Sequence, residues 1–229
     1  MAERSLDGAS VVVVGASGGL GRHIARQLAD CGARLTLAAR DRKGLESLGF
    51  DAPVVTADLR DAEAGAMIVD AAVSARGRID GLVNAAGVVA FGPLADTADE
   101  VIEDLFLTNV LGPLWLMRAA IPALTESRGF IANISAVVAE QPLPGMAAYA
   151  ASKAALTAAD RALTRELRAA GITVTDVRPP HTETGLAGRP IAGTAPKLRE
   201  GLRPEAVADR IVAAIRAGER EVSAADFGS

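Results

Sequence analysis

The chain has 229 residues, of which half are apolar and only 3% aromatic, and its formal net charge is −4 at pH 7. This length fits one large domain or two small ones and is enough to bury a continuous core. The acidic balance and the scarcity of aromatic rings argue against a nucleic-acid-binding protein. A single cysteine, Cys31, excludes an internal disulfide and is typical of a reducing compartment.

Short apolar runs alternate with helical stretches, a pattern typical of a parallel sheet covered on both faces. Strands are predicted at residues 10–14, 34–39, 53–57, 81–84, 130–134 and 173–177, with a short seventh strand near 221–223. Helices are predicted at residues 19–30, 62–75, 99–124, 146–170 and 204–217. We therefore expect an α/β fold, a Rossmann-type doubly wound sheet of six to seven parallel strands within a single domain, residues 1–229.

The apolar segments are too short or too interrupted to span a membrane. The first residues carry charges of both signs and only four valines precede Gly15, unlike a signal peptide. The longest apolar stretch, residues 105–117, contains polar residues, glycine and proline and is shorter than a bilayer requires. We therefore expect a soluble cytoplasmic protein without a membrane partner.

The turn after the first strand carries glycines at the spacing G-x-x-x-G-x-G and leads directly into a helix. Glycine permits positive φ and lets backbone N–H groups approach a diphosphate, which the N-terminus of the helix also attracts. We interpret the turn as the diphosphate site of a dinucleotide rather than as an ordinary strand-to-helix connection. Its predicted cofactor-binding residues are Gly15, Ser17, Gly18, Gly19, Leu20 and Gly21.

The end of the second strand favours NADP(H) over NAD(H). An acid usually binds the ribose 2′-hydroxyl of NAD at this place, but the chain has Arg40 there, with no acid until Asp41. A guanidinium pairs well with a 2′-phosphate, and Arg22, Arg42 and Lys43 add positive charge nearby. The alternative is that Arg40 is a solvated residue at the end of a strand.

Several further motifs together resemble the short-chain dehydrogenase/reductase family over nearly the whole chain. They are Asp58-Leu59, Asn84-Ala85-Ala86-Gly87 (similar to N-N-A-G), Asn109, Tyr149-Ala150-Ala151-Ser152-Lys153 (Y-x-x-x-K) and Pro179-Pro180-His181-Thr182-Glu183-Thr184 (similar to P-G-x-x-x-T). The resemblance implies that an adenine ring contacts the first motif and that a nicotinamide lies beside the last. Its implied cofactor-binding residues are Asp58, Leu59, Asn84, Ala85, Ala86, Gly87, Tyr149, Lys153, Pro179, Thr182 and Thr184.

Tyr149 and Lys153 lie four residues apart on a predicted helix, so both side chains share one face. A phenol has a pKa of about 10, and the Lys153 ammonium together with an oxidised nicotinamide would lower it by favouring the anion. In a reduction, Tyr149 would donate a proton to the carbonyl oxygen while hydride arrives at carbon. The resemblance implies that Lys153 also holds the nicotinamide ribose and that Asn109 holds a water of a proton relay.

The chain departs from the family at the catalytic serine, which usually lies thirteen residues before the tyrosine. That position is Ala136, and Ser135 precedes it. Three interpretations are open. Ser135 could supply the hydroxyl if the end of the strand shifts by one residue, or Tyr149 could hold the substrate together with a water. In the third interpretation, the enzyme is weak or specialised. Losing one donor to a developing oxyanion costs about 2.7–4 kcal/mol. Ser135 is therefore kept as a catalytic candidate.

Residues 185–203, which include the Gly/Pro-rich stretch 185–201, are expected to form a substrate-binding loop or lid. Arg189, Lys197 and Arg199 make this loop basic, which would attract an acidic substrate, although solvated loop charges are the more common explanation. His181 has no second ligand at suitable spacing, so no metal site is expected.

The leading hypothesis is an NADP(H)-dependent oxidoreductase acting on a carbonyl/alcohol pair of small-molecule substrates. One alternative is a dinucleotide-binding protein of the same fold with little or no catalysis, serving as a sensor or interaction partner, which Ala136 favours. A second is a methyltransferase on a similar sheet, which explains the glycine turn but not Tyr149 and Lys153. The family resemblance also implies a homodimer or homotetramer.

Overall fold

A computed structural model describes residues 3–228 and contains one sheet of seven parallel strands in the order β3-β2-β1-β4-β5-β6-β7. Strands β2 and β3 lie on one side of β1, and β4 to β7 lie on its other side. A crevice forms at the carboxyl ends of the strands where the order reverses, and dinucleotides bind there in such sheets. The strands are β1 Ser10–Val14, β2 Arg34–Ala39, β3 Val54–Thr56, β4 Gly81–Asn84, β5 Phe130–Ile134, β6 Thr173–Val177 and β7 Glu221–Val222.

Within residues 3–228, seven α-helices lie around the two faces of the sheet. They are α1 Gly21–Asp30, α2 Arg42–Glu46, α3 Ala64–Arg76, α4 Asp99–Phe106, α5 Gly112–Ser127, α6 Ala147–Glu166 and α7 Pro204–Ala217. The short helix α2 is an addition to the prediction, because its only buried apolar residue is Leu45 and so it has no apolar periodicity. Helices α1 and α6 begin two and one residues later than predicted.

Alternate side chains of each central strand enter two separate cores. Val11 and Val13 of β1 pack with α1 and α7, whereas Val12 and Val14 pack with α3, α5 and α6. All four side chains are at most 3% exposed. Both faces of β1 are therefore covered, as its uninterrupted run of valines predicts.

The predicted helix at 99–124 is a continuous helical stretch interrupted by a π-helical segment, Leu107–Leu111, between α4 and α5. The 29 residues from Asp99 to Ser127 are long enough to span a membrane, and an 18-residue window within them has a mean hydropathy of 1.3, which is also typical of a span. Here its apolar side chains, such as Leu116 and Met117, lie in the core beside the sheet and α3. The absence of a membrane partner stays a prediction.

Candidate functional site

A cavity of about 780 Å³ opens at the carboxyl ends of the central strands. It is lined by the glycine turn, by Arg40, by the ends of β3, β4 and β5, and by the segment after β6. Two predicted cofactor-binding residues are not among those that line it: Gly21 packs against Gly15, and Asn84 lies fully buried beneath the cavity. The predicted residues that line it are Gly15, Ser17, Gly18, Gly19, Leu20, Arg40, Asp58, Leu59, Ala85, Ala86, Gly87, Ser135, Tyr149, Lys153, Pro179, Thr182 and Thr184.

The glycine turn is packed so closely that side chains would not fit. Gly15 has φ +77°, and a Cβ atom on it would lie 2.6 Å from the backbone nitrogen of Ala86. A Cβ atom on Gly19 would collide with the carbonyl oxygen of Thr184, in the segment after β6. The glycines therefore allow the first turn to approach both neighbouring segments of the cavity wall.

The turn has the donors that a diphosphate requires. In the described part of the chain, the N–H groups of Gly19 and Leu20 have no protein acceptor, and they lie at the N-terminus of α1, where the helix dipole favours an anion. The Arg22 guanidinium is held on the turn by the carbonyl oxygens of Ser17, at 2.9 Å, and Gly18, at 3.3 Å. These residues fit the diphosphate of a dinucleotide.

Arg40 lies at the end of β2 on the cavity wall, where it is exposed and makes no hydrogen bond or ion pair with any residue from 3 to 228. Asp41 also lines the cavity. Asp58 is held by Arg60 at 2.8 Å, and this hydrogen bond lowers the pKa of the Asp58 carboxyl. Arg42 and Lys43 are exposed and do not belong to the cavity lining.

Tyr149 and Lys153 lie on one face of α6 and both line the cavity, although they are only 6% and 4% exposed. The Lys153 ammonium donates to the Ile134 carbonyl oxygen at 2.9 Å, at the end of β5. A Cβ atom on Gly87 would lie 3.2 Å from Lys153 Nζ and 3.3 Å from Asn109 Oδ1. The missing side chain at Gly87 thus gives the lysine head group its space.

Burial shifts the pKa values of Tyr149 and Lys153 away from their ordinary values. It raises the pKa of the Tyr149 phenol and lowers the pKa of the Lys153 ammonium to about 8. The sequence predicts a lowered Tyr149 pKa, whereas the protein on its own raises it, because burial outweighs every neighbouring charge. The phenol therefore holds its proton at neutral pH.

Asn109 is fully buried in the π-helical segment and does not line the cavity. Its Oδ1 accepts from the backbone N–H of Val88 at 3.0 Å, and its Nδ2 donates to the Val88 carbonyl at 3.0 Å and to Ser152 Oγ at 3.1 Å. The side chain thus fastens the segment after β4 to α6. Its part in a proton relay stays a prediction.

Ser135 lines the cavity, but its hydroxyl is used inside the protein. Ser135 Oγ donates to the Lys153 carbonyl oxygen at 3.0 Å and lies 3.0 Å from Thr157 Oγ1. Ala136, the next residue, also lines the cavity and offers no side-chain donor. These contacts favour a structural use of the Ser135 hydroxyl, and its catalytic role stays a prediction.

The loop at 185–203 is anchored to the protein at two points by isolated β-bridges. One bridge joins Ala90 to Ala192, and the other joins Thr182 to Leu202 at the base of the loop. Arg189 lines the cavity and donates to the Gly185 carbonyl oxygen at 3.1 Å. The cavity lining excludes Lys197 and Arg199 but includes His181, which lies 3.3 Å from Glu183.

Sequence reasoning missed a buried polar row beneath the cavity. Asn84, Asn133 and Asp176 are partners in register on β4, β5 and β6, and all are at most 1% exposed. Asp160 of α6 accepts from Asn133 Nδ2 at 2.6 Å. Three polar residues near the ends of otherwise apolar strands are the signal that could have identified this row.

Known proteins of one family match this chain in sequence. A family model described as short chain dehydrogenase matches residues 9–192. The chain belongs to the short-chain dehydrogenase/reductase family. A dehydrogenase/reductase SDR family member 7B of Bos taurus is 34% identical over 95% of this chain and 74% of its own length. The ketoacyl reductase HetN of a Nostoc species is 32% identical, and the match covers 95% of this chain and 79% of HetN.

Solved structures of the family share the whole fold, which confirms the predicted Rossmann-type sheet. A 3-ketoacyl-(acyl-carrier-protein) reductase from Brucella melitensis complexed with NADH superposes with a TM-score of 0.88 at 27% identity, over 97% of this chain and all of its own. A short chain dehydrogenase from Burkholderia cenocepacia in complex with NADP superposes with a TM-score of 0.85 at 27% identity. The match covers 96% of this chain and 89% of that structure. Both dinucleotides therefore occur among similar structures.

Proposed function

We propose that this short-chain dehydrogenase/reductase is an NADP(H)-dependent oxidoreductase that interconverts a carbonyl compound and its alcohol. The observation that carries the proposal is the shared cavity: Tyr149 and Lys153 line the same space as the glycine turn and Arg40. NADPH, when bound, supplies the hydride. The protein supplies the proton and the charges that hold both partners.

Tyr149 is the proton donor in this proposal. Because burial raises its pKa, the phenol is protonated at neutral pH and ready to donate to a carbonyl oxygen. In the oxidation direction it must give up that proton, and the Lys153 ammonium on the same helix face stabilises the resulting phenolate. Asn109 keeps the segment after β4 fixed beside this pair.

The substrate end of the cavity is apolar. Tyr149 belongs to a cluster that includes Val89, Phe91, Val138 and Met146, and Leu143 and Leu186 also line the cavity. Apolar walls around the Tyr149 hydroxyl favour a carbonyl compound with apolar flanks. The cytoplasmic location and the homo-oligomeric state stay predictions.

The test is a titration with NADPH followed by NADPH oxidation across a panel of apolar ketones and aldehydes. We expect binding and turnover with at least one member of the panel. Binding without turnover on any member would instead favour the dinucleotide-binding protein without catalysis, which Ala136 supports. Binding of S-adenosylmethionine in place of NADPH would contradict both.

Replacement of Arg40 by alanine tests the choice of dinucleotide. We expect the Kd for NADPH to rise about tenfold while the Kd for NADH stays within about twofold, because a charge-assisted bond to the 2′-phosphate contributes about 1.5–3 kcal/mol before solvent screening. Isothermal titration calorimetry with both dinucleotides measures the ratio.

Arg42→Ala is the matched control, because Arg42 is an exposed arginine paired with Glu46 at 2.8 Å and does not belong to the cavity lining. Its ratio of NADPH to NADH affinity should equal that of the wild type. An unchanged ratio in Arg40→Ala as well would show that Arg40 does not select the dinucleotide.

A further inference from the structure

The buried polar row beneath the cavity contains two acids that the proposed reaction leaves without a role. Asp176 of β6 and Asp160 of α6 are each 1% exposed. One oxygen of each carboxyl, Oδ2, has no hydrogen-bond partner in the described part of the chain. Placing two acids in such an environment costs several kcal/mol each when they are charged and unpaired. Protonation of the acids or a cation nearby would offset this cost.

Arg178 only partly provides this cation. Its guanidinium is 3.4 Å from Asp176 Oδ2, but it is also paired with Glu140 at 2.7 Å and with Glu221 at 2.9 Å. Three carboxyls thus surround one buried guanidinium. Asp160 is not among its partners, since its hydrogen bond comes from Asn133.

Lys153 is a second buried cation on α6, and within residues 3–228 its ammonium makes no ion pair with either acid. Its ammonium donates to Ile134, the residue that follows Asn133 in β5, and Asn133 is the register partner of Asp176. The Lys153 backbone is connected to Asp176 as well: its carbonyl accepts from Ser135, Ser135 is 3.0 Å from Thr157, and Thr157 is 3.1 Å from Asp176 Oδ1.

We propose that Asp160 and Asp176 form a buried acid pair that carries negative charge beneath Lys153 and keeps its ammonium protonated, so that both are positioning residues for the Tyr149–Lys153 pair. The proposal rests on the proposed function for its catalytic meaning, but the charge relation is a property of the protein alone.

The titratable groups around Lys153 are few. Helix α6 contributes Tyr149 and Asp160, β6 contributes Asp176, and β5 and the π-helical segment contribute only a carbonyl oxygen and the neutral Asn109.

Burial lowers the pKa of Lys153, whereas Asp176 and Asp160 both act to raise it. Burial and mutual repulsion raise the pKa of Asp160, and burial raises that of Asp176 despite Arg178. Such a pair titrates as a unit.

The chain offers a direct measurement because it has only three lysines, and the other two, Lys43 and Lys197, are exposed. NMR of protein labelled at lysine Cε therefore gives three signals, which Lys43→Arg and Lys197→Arg assign. In the double variant Asp160→Asn/Asp176→Asn, we expect the titration midpoint of Lys153 to fall by at least about one pH unit, a tenfold change in its protonation. Each single variant should give a smaller fall, since the remaining acid ionises more readily alone.

Asp209→Asn removes an exposed acid of α7 and is the matched control, with no expected change at Lys153. A double variant whose Lys153 titrates as in the wild type overturns the proposal. The wild type provides a second test that requires no variant: carboxyl carbon shifts showing both Asp160 and Asp176 protonated at pH 7 also overturn it.

The pH profile of kcat/KM distinguishes a positioning role of the two acids from a purely structural one. If the acid pair sets the charge of Lys153, the alkaline limb of kcat/KM moves to lower pH in the double variant, and Asp176→Glu in the Asp160→Asn background restores it. An effect confined to stability would lower the rate equally at every pH. Absence of turnover in the wild type contradicts the proposed function and leaves the NMR result to decide the proposal on the acid pair.

Discussion

The Tyr149→Phe variant is expected to lose at least about a thousandfold in kcat/KM while retaining NADPH affinity within about twofold. General acid catalysis by one positioned group contributes roughly 10²–10⁴-fold, and the Ser135 hydroxyl, which also lines the cavity, already donates to the Lys153 carbonyl oxygen. The ring is kept, so the apolar cluster around Tyr149 should stay packed. Single-turnover oxidation of NADPH measures the loss.

Ser135→Ala is the matched deletion of a hydroxyl for this experiment. Its hydroxyl binds only within the protein, so we expect a loss of less than about tenfold, in line with about 1 kcal/mol for an internal hydrogen bond. Full activity of Tyr149→Phe would contradict the assignment of the proton donor. An equal loss in both variants would restore Ser135 as a catalytic residue.

Gly19→Ala is expected to raise the Kd for NADPH at least about tenfold, or about 1.4 kcal/mol, and to lower the thermal unfolding midpoint. The added methyl group would collide with the Thr184 carbonyl oxygen, so the segment after β6 must move outward. That segment and the glycine turn are adjacent parts of the cavity wall. A fluorescence titration with NADPH and a thermal melt give both quantities.

Gly188→Ala is the control, because it lies in the neighbouring loop and its methyl group would meet only the Gly185 carbonyl oxygen at 3.6 Å, an ordinary contact. Its Kd and melting midpoint should match those of the wild type. Wild-type affinity in Gly19→Ala would mean that contact between the turn and Thr184 does not shape the binding site.

The strands were predictable because each forms a short, nearly continuous apolar run. Five of the seven match their predicted bounds, and β3 and β7 are shorter than predicted. Helix α2 was missed, since five residues with one buried leucine give no helical period. The π-helical segment at Leu107–Leu111 was also missed, because one additional residue in a helical turn leaves the hydrophobic pattern almost unchanged.

Within the site, the residues that make backbone contacts were the easiest to predict. Glycine spacing indicated a tight turn with close backbone approach at Gly15 and Gly19, but the partners that the structure shows, Ala86 and Thr184, were not predicted. The orientation of the Ser135 hydroxyl was not accessible, since it depends on Thr157, twenty-two residues further along the chain. The charge around Lys153 was hidden for a similar reason: Asp176 of β6 comes near α6, which carries Lys153 and Asp160, only after the helix packs on the sheet.

The two bridges of the loop at 185–203 have a consequence for how its parts can move. Anchorage at Ala192 and at Leu202 divides one long loop into two shorter ones, and each has its own attachment to the protein. The inner part begins beside Thr184, which contacts the glycine turn, whereas the outer part, residues 193–201, does not include this contact. A displacement of the outer part would therefore leave the contact between Thr184 and the glycine turn in place.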